Sequence, residues 1–305
     1  MASTSSELSS SSVLHVKTFT SRISWEFPGL QGIGCNMISN QDTPNFLSFL
    51  LELRAHPIGR TLILTAAAPN SPWPDPNGNP SDISPFAKLL DHVTLMNYDV
   101  WGSWSPAVGP NAPLNDTCAP PQYQQSSGVS AVRAWTNAGL PKNQLVLGVP
   151  SYGHSFLVDP SVALTAQGDI TAYPQFKPEQ PRGDSSDDEP GVDVCGAQTG
   201  QGGVFNFWGL VEGGFLDKRG KPIQGIHYRY DECSQTVRSV NNRCSLTSGL
   251  MQNIRSISPT FTTPPHKSWF RLMTRNPLEP RENSSKTLVC EDMRCGKLLG
   301  TIGIF

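Results

Sequence analysis

Apolar and polar positions along the first half of the chain alternate between two periods. Val13 to Ile23 is a β-like run rich in Val, Thr and Phe, and Glu26 stands just past its end, before the Pro28-Gly29 turn. A helix follows, with Thr43 as its cap and Pro44 at its first position. Phe46, Phe49, Leu50 and Leu53 fall on one face, and Pro57-Ile58-Gly59 stops it. Leu62 to Ala68 is a nearly continuous apolar run closed by Pro69, the pattern of a strand buried on both faces. Ser84-Pro85 opens a short helix through Leu90. Val93 to Tyr98 is the next strand, with Asp99 at its end, and a long loop spans Gly102 to Ser127. Val129 to Ala138 is a third helix, ended by Gly139. Leu145 to Pro150 is the fourth strand, and Tyr152-Gly153-His154 lies just beyond it.

Strands alternating with helices predict an α/β parallel sheet with helical cover, either a barrel or an open doubly wound sheet. The chain has no G-x-G-x-x-G opening a helix and no Walker sequence, which disfavours nucleotide folds. A (β/α)8 barrel is therefore the leading expectation, with only part of its eight strands present. Phe156 to Thr236 breaks the rhythm. It is rich in Gly, Asp and Pro, carries an aromatic cluster at Phe205, Phe207 and Trp208, and has the look of a small inserted α+β piece closed by a Cys195–Cys233 bridge. From Val237 the charge turns basic, 10 Lys/Arg against 4 Asp/Glu, scattered singly among Pro, Ser and Asn. No run or helical stripe forms, so a disordered tail is expected there.

Composition narrows this further. Only 37% of the 305 residues are hydrophobic, and Gly and Pro number 27 each, which calls for long loops. A net charge of −2 asks for neither nucleic acid nor a membrane surface, and no apolar run approaches a membrane span. Met1 to Ser12 is Ser-rich without an apolar signal core, so the chain as written shows no route out of the cell. The cysteines point outward instead. Cys35, Cys118, Cys195 and Cys233 lie in Gly/Pro/Asn-rich loops, as secreted disulfides do, and Asn115-Asp116-Thr117 and Asn283-Ser284-Ser285 are glycosylation sequons. A secreted type of protein missing its true beginning fits both facts. Cys290 and Cys295 are too few for a zinc site, and no cofactor is expected.

Three strand ends carry the candidate chemistry: Glu26 after the first, Tyr98, Asp99 and Trp101 after the third, Tyr152 and His154 after the fourth. Ends of parallel strands share one rim, so these residues would converge. Acids among aromatics suit sugar chemistry, because a carboxylic acid protonates a glycosidic oxygen and aromatic faces stack on sugar rings. The plainer alternative makes the aromatics core and Asp99 a cap. For Trp101 and Trp104, in a Gly/Ser loop, burial is the weaker option.

Several spaced motifs, in order, resemble family-18 glycoside hydrolases, the chitinases. Trp25-Glu26 with Phe27-Pro28-Gly29 resembles the end of the catalytic signature, and Met96-Asn97-Tyr98-Asp99 the Met-x-Tyr-Asp of the sixth barrel strand. Leu64-Thr65-Ala66-Ala67 is similar to the fifth strand, and Leu147 to Gly153 to the seventh. Asn206 to Gly209 and Tyr228 to Asp231 resemble the insertion domain of the large, secreted fungal type.

The resemblance implies a partial TIM barrel over 23–155, an insertion domain over 156–236 and non-family ends at 1–22 and 237–305. It implies a substrate-assisted retaining mechanism on chitin or chitooligosaccharides, outside the usual two-carboxylate scheme. Glu26 would be the acid and then the base, Tyr98 would bond the acetamido group, and Met96 and Asp99 would line the subsite. Trp25, Asn97, Trp101 and Tyr152 would contact sugar, and Arg229 would reach in from the insertion. A Cys35–Cys118 bridge would join loops on the shared rim. A monomer outside the cell, with no nucleic-acid or membrane partner, would follow.

Two departures stand out. The family signature is Asp-x-x-Asp-x-Asp-x-Glu, and here its positions hold Phe19, Arg22, Ser24 and Glu26. The first three barrel strands and the last have no counterpart, as in a truncated or mis-spliced reading frame. A hydrolase, a silent carbohydrate binder and a non-functional fragment are the three readings left open.

Overall fold

The computed structural model describes residues 20–23, 25–32, 34–241, 248–252, 288–289 and 301–303, with side-chain surroundings described for 25–32 and 34–240. In chain order its first half runs β1 (Thr20–Ile23), α1 (Asp42–Ala55), β2 (Ile63–Ala68), α2 (Ser84–Ala87), β3 (His92–Met96), α3 (Gly128–Asn137) and β4 (Leu145–Gly148). The second half runs β5 (Tyr152–Leu157), α4 (Pro160–Ala163), β6 (Gly191–Val192), β7 (Gln198–Thr199), β8 (Val204–Asn206), α5 (Phe207–Glu212), β9 (Ile226–Asp231) and β10 (Thr236–Asn241). The short β11 (Ser248–Gln252), β12 (Leu288–Val289) and β13 (Thr301–Gly303) follow.

Strands β1, β2, β3 and β4 lie side by side in sequence order, every pair parallel. A doubly wound sheet reverses its strand order at a switch point; this one does not. Strand β13 adds to β4 in parallel, with Thr301 opposite Val146. The sequence expects no strand beyond β4 in this sheet, because nothing in its basic, Pro-rich surroundings reads as one.

The core explains the sheet. Leu64, Ala66, Ala68, Val93, Leu95 and Leu145 meet Phe46 and Leu50 of α1, Phe86 of α2 and Ala131 and Trp135 of α3, all buried. Trp73 sits at the centre, its ring 5.3 Å from Phe46, 5.1 Å from Phe86 and 5.0 Å from Trp135. The Trp135 indole N–H donates to Pro69 O at 3.0 Å, so this core tryptophan also ties α3 to the end of β2. Helix α3 begins with a reciprocal cap. The Ser127 hydroxyl accepts from Ser130 N, and Ser127 N donates to the Ser130 hydroxyl. Helix α1 does not use Thr43 as its cap. It starts two residues earlier than expected, at Asp42, Thr43 is buried inside it, and the Asp42 carboxylate instead holds the chain ahead of the helix.

The second sheet is antiparallel, in the order β8-β5-β11-β10-β9. It corrects two expected boundaries. Residue 155 falls inside β5, so the chain changes sheets at the end of β4, not after Ser155. Residue 237 falls inside β10, whose Val237, Arg238, Ser239 and Val240 are buried. The basic composition masks this strand, because Arg238 is consumed internally, its guanidinium 4.9 Å over the Tyr173 ring. Most of the remaining expected tail, with Asn283, Cys290 and Cys295, lies outside the described residues.

The disulfides also pair differently. Cys35 bonds Cys195 and Cys118 bonds Cys233, with Cα separations of 5.6 and 6.4 Å. Both bridges join a loop of the parallel sheet to a loop of the later region. Neither the Cys195–Cys233 nor the Cys35–Cys118 pairing forms. The turn after β9 reaches Cys118 because Leu114 N donates to Ser234 O at 2.8 Å. The β6–β7 hairpin carries Cys195 to the loop after β1.

Candidate active site

The parallel register sets one rim. Ile23 pairs with Ala66, Ala66 with Val93 and Val93 with Leu145, so the residues that follow these strands emerge on one edge. Glu26 is half-buried there. Its loop is fixed on both sides. Trp25 packs edge-on against Phe46 of α1, centroids 5.6 Å apart. Beyond it, the Asp42 carboxylate accepts from Gly29 N and Ser39 N, both at 3.1 Å. Gly29 has φ 71° and a Cβ there would lie 3.0 Å from the Pro74 ring, so this turn requires glycine.

After β3 the chain turns at Asp99, whose φ of 54° is unusual for a residue with a side chain. Asn111, from the long loop, holds that turn. Its Oδ1 accepts from Asp99 N at 2.7 Å, its backbone O accepts from Val100 N at 2.9 Å, and its Nδ2 donates to Tyr152 O at 3.2 Å. Asn111 is 1% exposed. Nothing in its Pro/Gly-rich surroundings singles it out in the sequence, where it reads as a turn residue.

The Asp99 carboxylate joins the two sheets. Its Oδ1 accepts from the Tyr152 hydroxyl at 2.7 Å and faces His154 Nε2 at 2.9 Å. Opposite a carboxylate, that nitrogen has to carry the proton. Burial pushes the Tyr152 phenol far above its usual range, and the Asp99 charge adds to this. Tyr152 therefore remains a donor at any working pH. The Tyr98 and Tyr152 rings are 6.3 Å apart. Gly148 makes room for Tyr98: a Cβ there would lie 3.1 Å from the ring and 2.8 Å from Leu95 O. The Trp104 ring stands edge-on to His154 at 5.7 Å and is 63% exposed.

Other expected residues are placed differently. Trp101 is 1% exposed, so the open-loop expectation does not hold for it. It packs on Tyr173 at 5.5 Å and Tyr123 at 6.1 Å, and a Cβ at Gly109 would strike its ring. Asn97 is buried, its amide shared between Asn70 Nδ2 and Pro113 O. Met96 is half-buried at the end of β3, opposite Gly148. Arg229 lies on β9 at the sheet's edge and donates to Ile170 O at 3.1 Å.

The model of glycosyl hydrolases family 18 matches residues 22–233. The chain belongs to that family. A "chitinase-like effector" of Moniliophthora perniciosa is 50% identical over 222 residues, 72% of this chain and 50% of the relative. A "probable endochitinase" of Caenorhabditis elegans is 30% identical over 166 residues, 50% of this chain and 25% of the relative. Among solved structures, a chitinase of Rhizomucor miehei superposes with a TM-score of 0.66 at 31% identity, over 77% of this chain and 62% of that one. This chain spans about half the length of the Moniliophthora relative. The fold is thus the mixed α/β fold of a TIM-barrel family.

Proposed function

We propose that this family-18 chain binds chitooligosaccharides on the Glu26–Asp99–Tyr152 rim and that its hydrolysis is impaired. The observation that carries the reading is Ser24 two residues before Glu26, where the family signature has an acid. In a substrate-assisted reaction the sugar's acetamido oxygen attacks its own anomeric carbon while Glu26 protonates the leaving oxygen. Glu26 then deprotonates the incoming water. The ring-closed intermediate is positively charged. A serine hydroxyl can orient the acetamido group but supplies no negative charge, and losing such stabilisation costs on the order of a hundredfold in rate. Asp99 is no ready substitute, since one of its oxygens already takes Tyr152 and His154.

What remains suits binding. Trp25, next to Glu26, and Trp104, against His154, are exposed aromatics, and the Tyr98 and Tyr152 rings meet edge-on. The relatives named chitinase-like effectors fit the impaired reading, and the named chitinases fit a hydrolase. In this reading residues 23–151 are the barrel part. Residues 152–241, joined to it through Asp99 and both disulfides, are the insertion domain. Four bridged cysteines support action outside the cell.

The test is a fluorogenic chitooligosaccharide assay beside calorimetric binding. Binding with little or no cleavage is expected, with any cleavage lost in Glu26→Gln and raised in Ser24→Asp. Turnover at the rate of the named chitinases would overturn impairment. No sugar binding by a cooperatively folded chain would overturn the whole reading.

A further inference from the structure

The sequon Asn115-Asp116-Thr117 has no part in the sugar site, yet its surroundings are specific. It lies in the loop between β3 and α3, immediately before Cys118. The Asn115 Oδ1 accepts from Asp116 N at 3.0 Å and Thr117 N at 3.3 Å, while its Nδ2 donates to the Thr117 hydroxyl at 3.0 Å. Asn115 and Asp116 are half-buried and Thr117 and Cys118 exposed, so the sequon is at the surface. Cys118 is bridged to Cys233, and Cys35 to Cys195. Disulfides form in the oxidising compartments through which secreted chains pass, and asparagine-linked sugar is added there too.

We propose that Asn115 is an acceptor for asparagine-linked glycosylation, from a lipid-pyrophosphate-linked oligosaccharide donor. The Asn115 amide nitrogen forms a bond to the donor sugar's anomeric carbon. The bond from that carbon to the pyrophosphate oxygen breaks, the lipid pyrophosphate leaves with the electron pair, and the amide proton goes to a base of the transferase.

The fold also sets when this happens. In the folded chain the sequon is clamped at both ends. Leu114 N is bonded to Ser234 O, Asn115 O lies 3.8 Å from Cys233 Sγ, and Cys118 is covalently tied to Cys233. A transferase must draw the sequon out as an extended segment, so transfer precedes closure of the Cys118–Cys233 bridge. The inference stands independently of the sugar-site reading.

The test is secretion of the full chain behind an added leader from a glycosylating eukaryotic host, with the second sequon removed by Asn283→Gln. Peptide mapping before and after an N-glycan amidase reads the result. The expected result is a glycan on the Asn115 peptide, leaving aspartate at 115 after the amidase. It is lost in Thr117→Ala and in Asn115→Gln and kept in Thr117→Ser. An unmodified Asn115 peptide in the secreted parent chain overturns the site. That readout needs no variant to fold. Occupancy should be higher in Cys233→Ser than in the parent under conditions where the parent is partly modified. Lower or equal occupancy there would refute the order of events.

Discussion

Replacing Asn111 by alanine tests how the Asp99 turn is held. The side chain supplies two hydrogen bonds to backbone groups, Asp99 N at 2.7 Å and Tyr152 O at 3.2 Å, at a position 1% exposed. Alanine leaves a donor and an acceptor without this partner, at about 1 to 1.5 kcal/mol each. The expected loss of stability is therefore about 2 to 3 kcal/mol. The left-handed conformation of a residue with a side chain costs about 1 to 2 kcal/mol. Without Asn111, Asp99 can leave its φ of 54°, and sugar must restore it on binding. That weakens chitooligosaccharide affinity by roughly 5- to 30-fold. Denaturant unfolding of the full chain measures the first quantity and titration calorimetry the second. An Asn111→Ala chain within about 0.5 kcal/mol of the parent, binding sugar equally well, would refute the proposed strut.

Trp101→Ala should destabilise the chain by about 3 to 5 kcal/mol, as loss of a buried indole does, measured by denaturant unfolding. Trp104→Ala should leave stability near the parent's and weaken sugar binding, because that ring is exposed beside His154; the reverse pattern would mean the two tryptophans have been misassigned. Cys118→Ser should cost about 2 to 4 kcal/mol, read from the unfolding midpoint in non-reducing buffer. The Asp231 carboxyl is held below its usual range. Burial opposes this, but the Ser234 N–H and hydroxyl and the Arg238 charge outweigh it. Its folded pKa is thus below the unfolded value, so its contribution is present above the unfolded pKa and is lost as pH falls through the folded one. Asp231→Asn should lose stability near neutral pH and flatten the acid limb of a stability–pH curve; an unchanged limb would reject the assignment.

The parallel sheet was legible because β2, β3 and β4 are buried on both faces and α3 is amphipathic, although Phe49, expected on the buried face of α1, is half exposed. Leu62–Ala68 and Leu145–Pro150 can hardly be anything else. The convergence of Asp99 and Tyr152 was legible for the same reason, since parallel strands bring their ends to one rim. What escaped depends on docking between the two sheets. Trp101 reads as an open-loop aromatic until Gly109 and Tyr173 close over it, and Tyr173 lies more than sixty residues later. The disulfide partners could not be chosen before knowing that the Asp231–Thr236 turn meets the Leu114 loop. Arg238 made β10 look like a solvated tail, because local composition does not show that a Tyr173 ring awaits the charge. The same junction carries the functional argument. Asp99 comes from the first sheet, its donors Tyr152 and His154 from the second, and Asn111 bonds to both. The Asp99 carboxylate is thus held only while the two sheets remain docked. Loosening either disulfide should therefore reduce sugar affinity as well as stability, although neither bridge includes Asp99, Tyr152 or His154.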